Sequence, residues 1–245
     1  MQGSRDGPSS PSQHGQPMRS TAVQNLDRLR MWRLDEVPAL ERGKMKVRTY
    51  VPTRGGVAGL TIAQNRCLAL MDPDAEAVLQ DLCTCDAAIE PGQVRYTQWL
   101  NANGGIEADL TISRLDWETY LVVTGAAVAG RDFNWLKRHI GERRAVATDV
   151  TSGVSSLGLM GPRSRDLLAA LSGDDVSDNA VPYRGAAEIE IGYAPVRAVR
   201  ISYMGELGYE LYVATEFAQH LFDRIAEAGA DFGLAMAGYH AMDSL

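Results

Sequence analysis

Cysteine is scarce in this chain. Its three residues, Cys67, Cys83 and Cys85, form an odd set with no CxxC pair and no neighbouring histidine, which argues against a disulfide framework and against a zinc site. They read as reduced thiols of a reducing compartment, and Cys83-x-Cys85 as bystanders rather than metal ligands. Histidine is equally thin: His14, His139, His220 and His240 are scattered, none at metal-ligand spacing. Basic charge is in deficit, with 24 Lys and Arg against 31 Asp and Glu for a net charge of −7. That balance argues against a sequence-independent grip on nucleic acid. No apolar run approaches the roughly 20 residues of a membrane-spanning helix, and the N-terminus lacks the apolar core of a secretory signal. There is no P-loop and no nucleophile elbow, and Arg54–Gly59 (RGGVAG) fails the spacing of a dinucleotide loop. The expectation is a protein of the cytoplasm, or of the mitochondrial matrix in a eukaryote, with neither nucleic acid nor membrane as partner.

What is present is ordinary globular material: 245 residues, 45% hydrophobic and 22% charged, enough to bury a sizeable core. Residues 1–20 are rich in Gly, Pro, Ser and Gln and read as a disordered tail. Residues 21–73 show no clear periodicity and read as an irregular segment. From residue 74 to 245 the pattern is regular and reads as one domain. Ala75–Leu82 is an amphipathic helix with Asp74 as N-cap. Further helices are expected at 128–140, 163–171 and 217–228, and strands at 120–124, 145–150, 156–160, 188–191, 196–203 and 209–214. Strands joined mostly as hairpins, with single helices between them, give an α+β class of antiparallel sheets with packed helices.

The clearest stretch is Val94–Ser113, VRYTQWLNANGGIEADLTIS. It reads as a β-hairpin whose loop, Asn101–Gly105, holds two glycines able to take φ > 0. On the return strand Ile106, Ala108, Leu110 and Ile112 alternate with Glu107, Asp109, Thr111 and Ser113. Asp109 therefore turns away from the apolar row, toward either water or a polar pocket. The second stretch is Ile201–Tyr212, ISYMGELGYELY. Tyr203 and Glu210 flank a glycine-bounded turn, and strand pairing across it would bring them together. An aromatic face beside a carboxylate suits a flat, nitrogen-rich heterocycle, the ring stacking and the carboxylate accepting from ring N–H groups. The plainer alternative is a core tyrosine and a solvated glutamate.

Taken in order, the blocks AEAVLQDL, VRYTQWLNANGGIEADLTISRL, WETYLVVTGAA, DFNWL, DVTS, LGLMGPRSRDLL, RISYMGELGYELYV and GYHAMDSL resemble the folate-binding glycine-cleavage T-protein (aminomethyltransferase) family. They are most similar to the version in the C-terminal half of dimethylglycine and sarcosine dehydrogenases. The resemblance implies the aminomethyltransferase folate-binding fold. It also implies a tetrahydrofolate site where the folate amine captures a one-carbon unit from a small amine donor, giving 5,10-methylenetetrahydrofolate. The aspartate of the family's GGxxxDL segment falls on Asp109, the implied catalytic carboxylate. The pterin-holding tyrosine and glutamate of its Y-x-G-E-x-G-Y/W-E segment fall on Tyr203 and Glu210, and the tyrosine of the preceding hairpin strand on Tyr96. Such a site needs no protein nucleophile and no metal; it must orient a ring and manage one proton. The dehydrogenases carry an FAD domain ahead of this region, and the family continues beyond the last block with a further helix and a small β-barrel. The chain is thus expected to be an incomplete member, with FAD supplied only by a separate or missing domain or subunit. The alternative is a non-catalytic folate-binding relative or an inactive fragment.

Overall fold

The computed structural model describes residues 59–62 and 65–237. The tail read at 1–20, the irregular reading of 21–58 and the short helix start read at 238–245 lie outside the described residues.

Two antiparallel sheets carry the fold. A five-stranded sheet has the order β3-β4-β5-β2-β6, from β2 (Asn65–Met71), β3 (Val94–Leu100), β4 (Ile106–Asp116), β5 (Thr119–Gly125) and β6 (Val146–Asp149). A six-stranded sheet has the order β11-β1-β7-β10-β9-β8. Its strands are β1 (Gly59–Ile62), β7 (Val154–Met160), β8 (Ala186–Ile191), β9 (Ala194–Val199), β10 (Gly208–Ala214) and β11 (Ala235–Met236). Only the β1–β11 pair runs parallel. Helices α1 (Ala75–Leu82) and α2 (Ala129–Ile140) accompany the first sheet, and α3 (Ser164–Leu171) and α4 (Ala218–Gly229) the second.

Period-2 alternation assigns each strand's side chains to one of two faces. Leu68, Leu70, Trp99, Leu110, Ile112, Tyr120 and Val122 pack with Val78, Leu79 and Leu136 of α1 and α2. Leu157, Leu159, Val196, Ala198, Tyr209 and Leu211 pack with Leu167, Leu168, Leu221 and Ile225 of α3 and α4. The other faces meet each other through Cys67, Leu121 and Val123 from one sheet and Val199 and Tyr212 from the other. The layers therefore run helices, sheet, sheet, helices, with one core under each helix pair and a thinner one between the sheets. Each fully buried Leu or Ile contributes about 1.5–3 kcal/mol, so the helix-covered cores dominate stability.

Three local readings need correction. The segment read as irregular through residue 73 contains β1 and β2, and β2 pairs on both sides, with β5 and β6. A strand buried on both faces shows no polar–apolar alternation, so its sequence NRCLALM carries no strand signature. The Asp74 side chain does not cap α1; its Oδ2 accepts from the Arg144 N–H at 2.7 Å, tying the helix start to the approach to β6. Finally, β9 ends at Val199 rather than at residue 203 and β10 begins at Gly208. Gly208 makes room for its neighbour: a Cβ there would lie 2.2 Å from Met160 Sδ on the neighbouring β7, so a larger residue would have to displace the methionine side chain.

Candidate functional site

The hairpin of β3 and β4 forms as its sequence dictates. Asn101 organises the connection: its N–H donates to the Gly105 carbonyl at 2.8 Å, and its Oδ1 accepts from the N–H groups of Asn103 and Gly105 at 2.9 and 3.0 Å. Gly104 takes φ +79° in that loop, the left-handed region that favours glycine. The register pairs Gln98 with Asp109 and Tyr96 with Thr111. Since Ala108, Leu110 and Ile112 pack under the helices, Asp109, Thr111 and Ser113 line the opposite face, the one directed at the second sheet, and Tyr96 and Gln98 join them from β3.

Asp109 is the centre of a small polar cluster there. The Tyr96 hydroxyl donates to Oδ2 at 2.8 Å and the Gln98 amide donates to Oδ1 at 3.3 Å. Both Asp109 and Tyr96 are exposed, Tyr96 by half. The hydrogen bond to Asp109 pushes the Tyr96 phenol above its ordinary pKa, with smaller upward contributions from burial, the Asp109 charge and the Tyr203 phenol. Sequence reasoning singled out Tyr96 and Asp109 but missed Gln98, although its position directly across from Asp109 follows from hairpin register alone.

On the facing sheet, Glu210 sits on β10 opposite Val199 of β9 and Gly158 of β7. Tyr209 and Leu211 on either side of it enter the helix-covered core, so Glu210 and Tyr212 point to the inter-sheet side. The Tyr212 hydroxyl donates to Glu210 Oε2 and is the carboxylate's one hydrogen-bond partner among the described residues. Burial pushes the Glu210 carboxyl above the ordinary glutamate range, and the Tyr212 hydrogen bond pulls the other way. Tyr212, 5% exposed, is raised well above the usual tyrosine value by burial and then by the Glu210 charge. Across the layer the Cys67 thiol is pushed up to about 12, by burial first and then by the charges of Glu210 and Asp149. It is therefore a neutral, unreactive thiol.

Tyr203 stands elsewhere than strand pairing predicts. It lies in the eight-residue connection Arg200–Leu207 between β9 and β10, 71% exposed, and Val199 rather than Tyr203 is the cross-strand neighbour of Glu210. The same connection walls an open pocket of about 240 Å³ whose lining includes Arg200, Ser202, Glu206 and Tyr183. None of the four sequence-selected residues lines it. The inter-sheet face carries two further polar groups that sequence reasoning missed. Ser113 Oγ of β4 and Ser156 Oγ of β7 are buried and without a hydrogen-bond partner among the described residues, and each such hydroxyl costs about 1–3 kcal/mol. Among the described residues no cluster of His, Cys, Asp and Glu has a metal-holding arrangement, and no helix is long and apolar enough to cross a membrane.

Two antiparallel sheets packed face to face, sheathed by helices and carrying acids on their inner faces, define an α+β domain of the aminomethyltransferase type. The family model described as the GCVT N-terminal domain matches residues 51–245, and the chain belongs to that family. Its start upstream of residue 74 agrees with the strands found at 59–71. Among solved structures, the fold resembles the glycine cleavage system aminomethyltransferase T from Bartonella henselae. The TM-score is 0.66 at 26% identity, covering 77% of this chain and 50% of that one. Among curated relatives, the chain is 39% identical over 192 residues to 4-methylaminobutanoate oxidase (formaldehyde-forming) of Paenarthrobacter nicotinovorans, covering 78% of this chain and 23% of the oxidase. It is 31% identical over 207 residues to the mitochondrial sarcosine dehydrogenase of Mus musculus, covering 78% of this chain and 22% of that protein. The chain thus spans about a quarter of the length of these relatives.

Proposed function

We propose that the inter-sheet face is a tetrahydrofolate site and that the domain assists capture of a one-carbon unit from an N-methylated amine. The observation that carries the reading is that each sheet bears one carboxylate on its inner face, the two unlike in setting: Asp109, exposed and held by Tyr96 and Gln98, and Glu210, partly buried and held, among the described residues, by Tyr212 alone. A reduced pterin presents a flat ring with several N–H donors, and these residues fit it. Glu210 retains acceptor capacity on an oxygen that takes no described hydrogen bond, Ser113 and Ser156 offer buried unpaired hydroxyls, and Tyr96 and Tyr203 offer exposed aromatic faces. Tetrahydrofolate, when bound, supplies the amine that takes up the one-carbon unit.

This chain's own residues bind, orient and handle a proton. Glu210 accepts from ring N–H groups and fixes the ring's edge. Tyr203, exposed on its connection, offers an aromatic ring to cover one face of the pterin. Asp109, water-accessible and oriented by two donors, is the residue to accept the proton released as the new C–N bond forms. Tyr96 and Gln98 keep its two oxygens in one orientation. The names of the two curated relatives both denote oxidation of N-methylated amines, one of them formaldehyde-forming. That supports a donor at the oxidation level of formaldehyde, delivered by a flavin-dependent domain or subunit outside this chain.

The test is thermal melting and Tyr/Trp fluorescence of the full chain with tetrahydrofolate. A ligand present at about 100 times its Kd adds roughly 2.7 kcal/mol and raises Tm. No change in either signal up to millimolar ligand overturns the reading and leaves a fold retained without its ligand.

A further inference from the structure

We propose that Tyr212 is a positioning residue for the folate-binding carboxylate. Its hydroxyl, donated to Glu210 Oε2 from two residues further along the same face of β10, fixes the direction in which the second oxygen is presented to a ring N–H. The inference rests on the tetrahydrofolate reading for its ligand, but its geometry stands on this chain alone.

Two observations lead to it. Tyr212 is a large side chain, 5% exposed, whose polar end could have been left out of the layer by a phenylalanine of the same shape. The hydroxyl is instead spent on the one neighbouring carboxylate. A buried phenol needs a partner, and so does a buried carboxylate; each satisfies the other.

Among the described residues, no other group orients Glu210. Its cross-strand neighbours are Val199 and Gly158, neither with a polar side chain. Ser156, directly across from Tyr212, has a hydroxyl that meets no full hydrogen-bond partner among the described residues and acts on the Tyr212 phenol, whose pKa it lowers, rather than on the carboxylate. Arg197, on the other side of Tyr212, is held by Glu188 at 2.7 Å. From the facing sheet comes the neutral Cys67 thiol, itself influenced by Asp149. Tyr212 is thus the donor that sets which lone pairs of Glu210 stay open. The same bond also opposes burial in setting the carboxyl's charge, since a hydrogen bond to the ionised form favours that form.

The decisive variant is Tyr212→Phe, which keeps the ring and removes the hydroxyl. Two readouts are taken on the full chain. The first needs no ligand: the titration of the Glu210 δ-carboxyl followed by carbon-13 NMR, its signal assigned by its loss in Glu210→Gln. The midpoint should move to higher pH in Tyr212→Phe, because the opposing hydrogen bond is gone while the burial remains. The second is the affinity for 5-formyltetrahydrofolate, a stable reduced folate, measured across pH. Tyr212→Phe should weaken binding about tenfold, the scale of one hydrogen bond to a charged group, and move the pH at which affinity falls in the same direction as the NMR midpoint. A tyrosine that only fills space would lower affinity equally at every pH and leave the midpoint in place; that result overturns the inference. If the midpoint moves but the unaltered chain binds no reduced folate, the positioning of Glu210 stands and the folate reading falls.

Discussion

The two acids on the inner sheet faces are built on opposite terms. Asp109 belongs to a hairpin near the edge of the five-stranded sheet, stays in contact with water, and receives two donors from the neighbouring strand. Glu210 lies on β10, inside the six-stranded sheet, is partly buried, and among the described residues receives one donor, from its own strand. The comparison teaches what each can do. A carboxylate in water with its oxygens oriented can take and return a proton at little cost. A carboxylate held against its own burial has a demand for donors that, on the proposed reading, a bound ring would answer.

The largest test of that division is Asp109→Asn. The amide keeps the shape but cannot accept a proton. If Asp109 is the proton acceptor, folate-dependent turnover of the complete assembly should fall by about 10²–10⁴-fold, with Tm of the isolated chain unchanged within about a degree. A variant with full turnover would remove Asp109 from the chemistry and leave it a surface residue.

The second prediction supplies a purely structural contrast on the same strand. Arg114, five residues beyond Asp109, is 5% exposed. Its guanidinium donates to Glu76 at 2.6 Å, to the Ile89 carbonyl at 2.7 Å, to the Asp116 carbonyl at 3.2 Å and to the Trp117 carbonyl at 2.6 Å. It also lies 5.1 Å over the Tyr120 ring. Arg114→Ala removes four hydrogen bonds at once, the one to the Ile89 carbonyl buried, and should cost about 2–3 kcal/mol in chemical denaturation. One strand would then show a stability residue and a chemistry residue side by side, separable by melting against turnover.

How much of this was legible in the sequence depended on what each segment is packed against. The Val94–Ser113 hairpin was readable because one face is buried and the other is exposed toward the loop, around Tyr96 and Asp109, so polarity alternates, and because Asn101 and Gly104 supply the loop chemistry. β2 was illegible for the opposite reason: Leu68 and Leu70 face one core and Cys67 and Ala69 the other, so every position looks alike. The Tyr203–Glu210 pairing failed because residues 200–203 look like strand but peel away from the sheet, and local pattern does not encode where pairing stops. Tyr212 was within reach, since a period of two places it beside Glu210, yet its partner became visible only once burial was known. Ser113 and Ser156 could not have been found at all, because an unpartnered hydroxyl is a property of the assembled layer.

The third prediction turns on the sign of the Glu210 shift. Burial raises its folded-state pKa above the ordinary glutamate value. At pH below that value both folded and unfolded chains hold the proton, and the group makes no demand. As pH rises, the unfolded chain releases its proton first, so the folded state loses stability until the pH passes the raised folded value. Glu210→Gln should therefore melt like the unaltered chain in acid and higher at pH 7. A gain of roughly 1 kcal/mol corresponds to about 2–4 °C for a domain of this size. The same substitution should weaken reduced-folate binding. A gain in Tm together with a loss of affinity marks a residue kept for function at the expense of stability, whereas Asp109→Asn should move activity alone.

The smallest expected effect belongs to Tyr96→Phe, and it sharpens the comparison most. The lost bond to Asp109 spans 2.8 Å but lies in water, where its loss is largely made good by solvent, so stability should change by no more than about 0.5 kcal/mol. Gln98 still donates to the other oxygen, at the longer distance of 3.3 Å. The orientation of Asp109 is therefore loosened rather than abolished, and turnover should fall a few-fold, roughly 3–10, the scale of one modest hydrogen bond. Combining Tyr96→Phe with Gln98→Ala should cost more than the product of the two single effects, because each donor partly substitutes for the other. Independent, multiplicative losses would mean that Asp109 takes its direction from β4 itself, and that the contrast with Glu210, which hangs on one side chain, is greater still.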